Sequence, residues 1–519
     1  MNYRIGIDVG GTNTDGVLLD ADQHVVAKIK VATTLDVMSG IERALGALFD
    51  LSGVDRSCVT QAMLGTTHCT NAIVERKGLN SVAHFRLGAP ATLAILPLTN
   101  VPDDLRDKLS EHVFVVEGGY EYDGTTLSPL DEDTIRSCLR RVNGKVDAVS
   151  VCGVFSVVAG EQEMRVAKLV REELGDHIPV SMSHEIGSLG LLERENASVL
   201  NAALFATARN TADGFVNALK RHGVVAKIYF GQNDGTLMTL EHALRFPILT
   251  IASGPTNSIR GASYLAGLKD AIVVDVGGTT PDVGILVEGF PRESLIAAEI
   301  GGVRTNFRMP DLASIGLGGG TIVRIKSDST FSIGPDSVGY RIVEEALVFG
   351  GDTLTLTDIA VAKGLAELGD KRRIAHLSTD LVDAVYAQYV AMIESVIDKM
   401  KTSSADVSVV LVGGGAVLLP SQLRGAREII RPENFGVANA IGVANAQASG
   451  EVDIIVSLEH KSLNTGLDEA ATQAIAQAVA AGAKAGTVTI VDLDATTLAY
   501  MPGKAVRIRA KAAGELASS

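Results

Sequence analysis

One string occurs twice in this chain, some 270 residues apart. Residues 8–15 read D-V-G-G-T-N-T-D and residues 275–282 read D-V-G-G-T-T-P-D, with five identical leading residues and a matching second aspartate. A repeat of that kind is a sign of duplicated architecture and constrains the fold before any other feature. Each copy follows a short β-branched run and precedes a second apolar run, Val17–Leu19 in one and Gly284–Val287 in the other. Two strands joined through a glycine turn predict a β-hairpin. After the first hairpin the sequence predicts a third strand, His24–Val31, and a helix over Asp36–Leu51 with Met38, Ile41, Leu45 and Leu48 on one face. Two hairpin-led α/β halves imply a two-lobed molecule with a cleft.

Further glycine clusters punctuate the chain. Gly413–Gly415 follow a buried strand, Val407–Val412, and the pattern then predicts a helix over Gln422–Ile430. A small-residue helix follows at Ala438–Ala446, able to pack closely on a neighbour. The tail predicts an alanine-rich helix, Asp468–Ala481, and strands Thr487–Val491 and Ala505–Ala510, forming a small terminal α/β layer. The expected division is 1–190, 191–450 and 451–519. The proline-bearing stretch Leu87–Pro102 predicts a connecting loop within an insertion.

Glycines in a strand-to-strand turn expose backbone N–H groups without side-chain obstruction, and a threonine hydroxyl adds a donor. Gly10, Gly11, Thr12, Asn13 and Thr14 facing Gly277, Gly278, Thr279 and Thr280 would clamp a pair of phosphates from both sides. Asp8 and Asp275, at the strand ends, would then face Mg²⁺ through its waters, since that ion keeps much of its hydration. One such turn alone is usually only a turn; the duplication and the Gly413–Gly415 cluster support a nucleotide site. There is no G-x-x-x-x-G-K-[ST] string and no strand–GxGxxG–helix unit, which disfavours P-loop and Rossmann sites. Gly65, Thr66, Thr67, His68 and Asn71 lie in a polar turn entering a helix, and Ser253 and Gly254 lie just before the second hairpin. Either segment could present donors to phosphate or substrate, and Gly65–Thr67 reads equally well as a helix cap. Gly316–Thr321, with Gly318 and Gly319, forms a fourth flexible turn after Asp311.

A net charge of −15 argues against nucleic acid or an anionic membrane as the main partner. Cys58, Cys69, Cys138 and Cys152 form no CxxC pair, which fits a reducing compartment. The first apolar strand begins at Arg4, leaving no room for a signal peptide, and no run of eighteen apolar residues occurs. The expected location is cytoplasmic.

The sequence resembles the hydantoinase/oxoprolinase family over nearly its whole length. The resemblance rests on 8–16, GTTHCTNAIVERKG at 65–78, SHEIGSLGLLERENASVLNAAL at 183–204, SGP at 253–255, 275–284, GLGGGT at 316–321 and ANAIGVANA at 438–446. It implies an α/β fold of two ribonuclease-H-like domains of the actin-like ATPase type around a nucleotide cleft. The hairpins would hold the phosphates of ATP and Gly413, Gly414 and Gly415 would lie at the adenosine. It also implies ATP- and Mg²⁺-dependent opening of a hydantoin, 5-oxoproline or related cyclic amide, with a second subunit and an oligomeric assembly. Phosphate transferred to the carbonyl oxygen would remove the resonance that protects the amide, and Asp15 or Asp282 would orient the nucleophile. The chain departs from the family pattern at Leu64, at Pro281, and at Leu312 and Ala313 after Asp311, which weakens a metal site at Asp311. The alternatives are a small-molecule or sugar kinase and a nucleotide-switched reactivase or chaperone. The cysteine-rich zinc loop common in related sugar kinases and the cluster-binding cysteines of reductive activators are both missing from the sequence.

Overall fold

The computed structural model describes residues 2–33, 37–109, 111–294, 298–307, 309–326, 330–459, 461–499 and 504–517. Both duplicated strings form the hairpins expected of them. Tyr3–Val9 pairs antiparallel with Asn13–Leu19, and Ala271–Val276 pairs antiparallel with Pro281–Val287. The registers coincide: Asp8 lies opposite Asp15, and Asp275 lies opposite Asp282. β-Branched and aliphatic residues flank each glycine turn and bury both faces of the strands; Ile5, Ile7, Val273 and Val274 are fully enclosed.

Each hairpin seeds its own sheet. The first sheet has nine strands in the order Thr489–Thr497, Ala505–Gly514, Ala448–Ser457, Leu237–Thr239, Lys227–Gly231, Val59–Thr66, Tyr3–Val9, Asn13–Leu19 and Val25–Ala32. The second runs Phe290–Pro291, Pro281–Val287, Ala271–Val276, Val407–Val412 and Ala426–Ile430, and Leu312–Ser314 also pairs with Pro281–Val287. Beside Tyr3–Val9 runs the parallel strand Val59–Thr66, and beside Ala271–Val276 runs the parallel strand Val407–Val412. The pairing therefore repeats beyond the hairpins. The tail strands extend the edge of the first sheet, and the helix Leu463–Ala480 packs its alanines Ala470, Ala474 and Ala478 onto them.

A third, wholly parallel sheet is inserted after the first hairpin unit, in the order His112–Glu117, Val82–Ala89, Ala148–Gly153, Val180–Met182. The strand Val82–Ala89 thus occupies the start of the stretch expected to be loop; the loop begins at Pro90. Two other expectations shift. The helix after the first hairpin is described from Val37 to Ser52, and Asp36 lies outside the described residues. The segment expected as a helix over Gln422–Ile430 contains a strand, Ala426–Ile430, because a place beside Val407–Val412 in the sheet overrides a weak local helical preference. Among the described residues, no helix is long and apolar enough to cross a membrane.

Two helices pack between the first and second sheets. Ser253–Ala266 and Ala438–Ala444 cross so closely that a Cβ on Gly261 would lie 1.9 Å from the carbonyl oxygen of Ala438. A Cβ on Gly442 would lie 1.8 Å from that of Asn257. Glycine at those two positions is what permits the crossing.

Candidate nucleotide and substrate site

The turns of the two hairpins close in the same way. The Gly10 N–H donates to the Asn13 carbonyl at 3.0 Å, and the Gly277 N–H donates to the Thr280 carbonyl at 3.1 Å. The two turns also meet: a Cβ built on Gly278 would stand 2.9 Å from Oγ1 of Thr12. At Gly11 and Gly414, by contrast, an added Cβ would find no atom within 4 Å, so both face open space.

Gly318 and Gly319 support the second turn from behind. Their N–H groups donate to the carbonyls of Thr279 (3.0 Å) and Gly277 (3.2 Å), and that of Gly320 donates to Gly278 (2.7 Å). Those amides hold the loop in shape and are already engaged. Gly413 follows the strand beside Asp275, in a left-handed conformation with φ 82°, and a Cβ there would lie 2.1 Å from Asp275 Oδ1. Gly65 stands in the same relation to the first hairpin, with its missing Cβ 2.1 Å from Asp8 Oδ1.

The four motif carboxylates share one electrostatic environment. Burial pushes Asp8 up to about 7; amide donors from Asn257 and Asn439 oppose the rise, while Asp15 and Asp275 add repulsion. Burial also raises Asp15, against the attraction of Lys30 at 2.5 Å. Asp275 is raised by burial against a hydrogen bond from Ser258. Asp282 is pushed up to about 7 by burial, with the Ser314 hydroxyl opposing and Asp275 contributing. Buried carboxylates that repel one another suit a divalent cation, which would restore their ionised forms. Amide donors from Asn257 and Asn439 already occupy one side of each Asp8 oxygen, so a cation at Asp8 would be met through water. The open glycine turns likewise fit a phosphate chain.

The two remaining polar segments come together beside Asp8. The Ser253 hydroxyl donates to the Thr66 carbonyl at 3.2 Å, and a Cβ built on Gly254 would lie 3.7 Å from the Thr67 methyl. Thr67 is at the N-cap position of His68–Glu75, and no side-chain capping bond forms there. His68 is turned back onto the Thr66 hydroxyl through Nδ1, and burial lowers its pKa, keeping the ring neutral. Asn71 is exposed on the helix, its amide 3.5 Å from Thr67 Oγ1. Asp311 carries an ion pair with Arg292, so its carboxylate is engaged by a guanidinium.

Four polar residues of the site escape the motif reading: Lys30, Asn257, Ser258 and Asn439. Asn257 Nδ2 donates to Asp8 Oδ1 at 3.0 Å and Asn439 Nδ2 donates to Asp8 Oδ2 at 2.9 Å. The Asn439 side-chain oxygen accepts the Ala440 N–H at 2.9 Å, which turns its amino group toward the carboxylate. Asn439 lies in the small-residue helix and Asn257 two residues after Ser253-Gly254-Pro255, so the sequence signal was proximity to strings already singled out.

Residues 4–174 match the hydantoinase/oxoprolinase N-terminal region, and residues 194–367 match hydantoinase/oxoprolinase. The chain belongs to the hydantoinase/oxoprolinase family. Among proteins it is similar to, the acetophenone carboxylase gamma subunit of Aromatoleum aromaticum is 28% identical over 69% of this chain and 53% of that protein. The caprolactamase subunit alpha of Pseudomonas jessenii is 27% identical over 70% of this chain and 54% of that protein. This family member thus spans about half the length of the curated relatives it matches. Its fold is that of an ATP-dependent caprolactamase from Pseudomonas jessenii, with TM-score 0.79 and 18% identity over 99% of this chain and 88% of that one. A nucleotide-free acetone carboxylase structure is similar, at TM-score 0.73 and 19% identity over 100% and 88%. The architecture is a multi-domain α/β arrangement resembling the actin-like ATPase fold.

Proposed function

We propose that this protein binds Mg·ATP between its two hairpin turns and uses it to activate the carbonyl oxygen of a small molecule, a cyclic amide in the first instance. The observation that carries the reading is the closeness of the two turns: a Cβ built on Gly278 would stand 2.9 Å from Thr12 Oγ1, so donors from both halves would border one space. A cyclic amide resists water because nitrogen donates into the carbonyl, a resonance whose rotational barrier is about 18–20 kcal/mol. A phosphoryl group on the carbonyl oxygen withdraws that stabilisation and supplies a leaving group. Asp282, pushed up to about 7 and accepting the Ser314 hydroxyl, suits a general base better than Asp15, which is bound to Lys30. Gly65–Thr67, with Ser253 and Gly254, would line the substrate side beside Asp8.

A second reading, ATP-dependent carboxylation of a ketone, is favoured by the similarity to acetophenone and acetone carboxylase subunits. It shares the first step, because a ketone also offers a carbonyl oxygen. Subunits of named relatives suggest a partner chain for this one as well. Purified protein, alone and with a candidate partner subunit, incubated with Mg·ATP and panels of lactams, hydantoins, or ketones plus bicarbonate should release phosphate only with its own class. Release that ignores every carbonyl compound would refute both readings, and a stable phosphorylated product would identify a kinase.

A further inference from the structure

The strand Leu312–Ser314 lies along Pro281–Val287, with Ser314 opposite Asp282 and its hydroxyl on that carboxylate. The chain leading into it leaves the second sheet and returns. Two antiparallel contacts form its stem: the Ser294 N–H donates to the Met309 carbonyl and the Asp311 N–H to the Arg292 carbonyl, each at 2.8 Å. From the tail strand Ala505–Gly514, Lys511 and Arg509 reach Glu293 in that stem, at 3.1 and 3.3 Å. Beyond the stem stands a small hairpin, Ala298–Ile300 against Val303–Thr305.

This hairpin is docked on elements outside its own sheet. Ile300, Val303 and Phe307 are buried in one apolar cluster with Ile73, Val101, Leu105 and Val199. Arg76, which caps the end of helix His68–Glu75, donates to the Gly301 carbonyl at 2.9 Å and to the Ile73 carbonyl at 2.6 Å. Asn196 Nδ2 donates to the Arg304 carbonyl at 2.9 Å, and Asn306 Nδ2 donates to those of Ser188 and Leu189 at 2.9 and 3.0 Å. The fit needs glycine at the tip. Gly301 and Gly302 have φ of 57° and 86°, and a Cβ on Gly301 would lie 2.8 Å from both Arg76 Nη1 and Ile73 Cγ2.

We propose that the described parts of residues 292–311 act as a coupling strap. The strap ties helix His68–Glu75, which begins directly after Thr67 on the proposed substrate side, to the strand that sets Ser314 against Asp282. A lobe attached at one place can hinge in many directions, whereas a second, separate attachment restricts it to motion about the line through both. Here the second sheet meets the rest of the molecule at the crossing helices and again at the docked tip. A molecule that shifts the helix would therefore pull on the strand beside Asp282, and undocking the tip would break that link. The effect of the strap on turnover rests on the functional reading above; its geometry does not.

Amide hydrogen exchange of the full chain without nucleotide, read by mass spectrometry, tests the strap. Phe307→Ala hollows the docked cluster. It should speed exchange about tenfold or more in His68–Glu75, Ala298–Ile300 and Leu312–Ser314 together, as one cooperative unit. Val25–Ala32, at an edge of the first sheet, should keep its wild-type rate. Phe307→Leu should restore most of the protection. Arg76→Gly keeps the left-handed cap (φ 56°) while removing the guanidinium, and gives the same reading should the alanine variant fail to fold. Acceleration confined to the tip, or equal acceleration throughout the chain, would overturn the strap. In turnover, Phe307→Ala should keep carbonyl-independent ATP hydrolysis within about twofold and lose about tenfold of the stimulation by a carbonyl substrate, the scale of a coupling between two sites. Full stimulation in that variant would also overturn the strap. Concerted exchange in a protein that never hydrolyses ATP would uphold it and remove the functional reading instead.

Discussion

The two hairpins are alike in backbone and unlike in side-chain surroundings. Asp8 faces Asp15 across one ladder and Asp275 faces Asp282 across the other, with a glycine on the neighbouring parallel strand or just beyond it clearing each carboxylate. Around that shared frame the partners differ. Asp8 receives two amides and its cross-strand mate receives Lys30; Asp275 and Asp282 each receive one hydroxyl. Duplication supplies two hairpins of one register, and divergence gives their carboxylates different partners. Asp8 in the first half and Asp282 in the second are both raised to about 7, so each half carries a carboxylate that titrates near neutrality, one among amides and one beside a hydroxyl.

The largest test of that division is removal of the charges themselves. Asp8→Asn and Asp275→Asn should each reduce ATP hydrolysis by ~10³-fold or more in a steady-state phosphate assay, as expected when an electrostatic clamp on transferring phosphate is lost. Asp282→Asn should cost ~10²-fold in kcat, on the scale of a general base, while Asp15→Asn should cost less. Equal losses at 15 and 282 would erase the distinction between the halves. Gly278→Ala would drive a Cβ against Thr12 and should weaken Mg·ATP binding by ~10-fold in calorimetry, about 1.4 kcal/mol. Gly11→Ala, where the added carbon would enter the open space proposed for the phosphates, should weaken binding by a smaller factor while leaving the melting temperature of the nucleotide-free protein near wild type.

The pH dependence follows from the same contrast. Asp8 and Asp282 are raised to about 7 in the folded chain, so their buried ionised forms are disfavoured relative to the unfolded chain. The stability they contribute is present when they are protonated and is lost as pH rises from near 4 through about 7. The nucleotide-free protein should therefore melt lower at pH 8 than at pH 6 on their account, and Asp8→Asn should flatten that fall. Turnover should move the other way, declining as pH drops below about 7.

Much of this frame was legible in the residues. The hairpins followed from β-branched runs around Gly-Gly-Thr, and their pairing followed from the repeat. The strand Ala426–Ile430 did not, because Arg427 and Glu428 suit a helix locally and only the adjacent strand Val407–Val412 decides otherwise. Nor did Lys30, Asn257, Ser258 and Asn439, which carry no spacing signature. Lys30 reaches Asp15 as its cross-strand neighbour, and Asn257, Ser258 and Asn439 reach Asp8 and Asp275 from two helices whose crossing at backbone contact Gly261 and Gly442 permit. Gly318 and Gly319 show the converse: a glycine cluster that reads as a ligand loop spends its amides on the turn in front of it.

A crystal structure of the chain with Mg²⁺ and a non-hydrolysable ATP analogue would test the central claim most directly. The account predicts the β- and γ-phosphates between Gly10–Thr14 and Gly277–Thr280, with metal-bound water on Asp8 and Asp275. A nucleotide seated elsewhere, or contacting one turn while the other faces solvent, would contradict it.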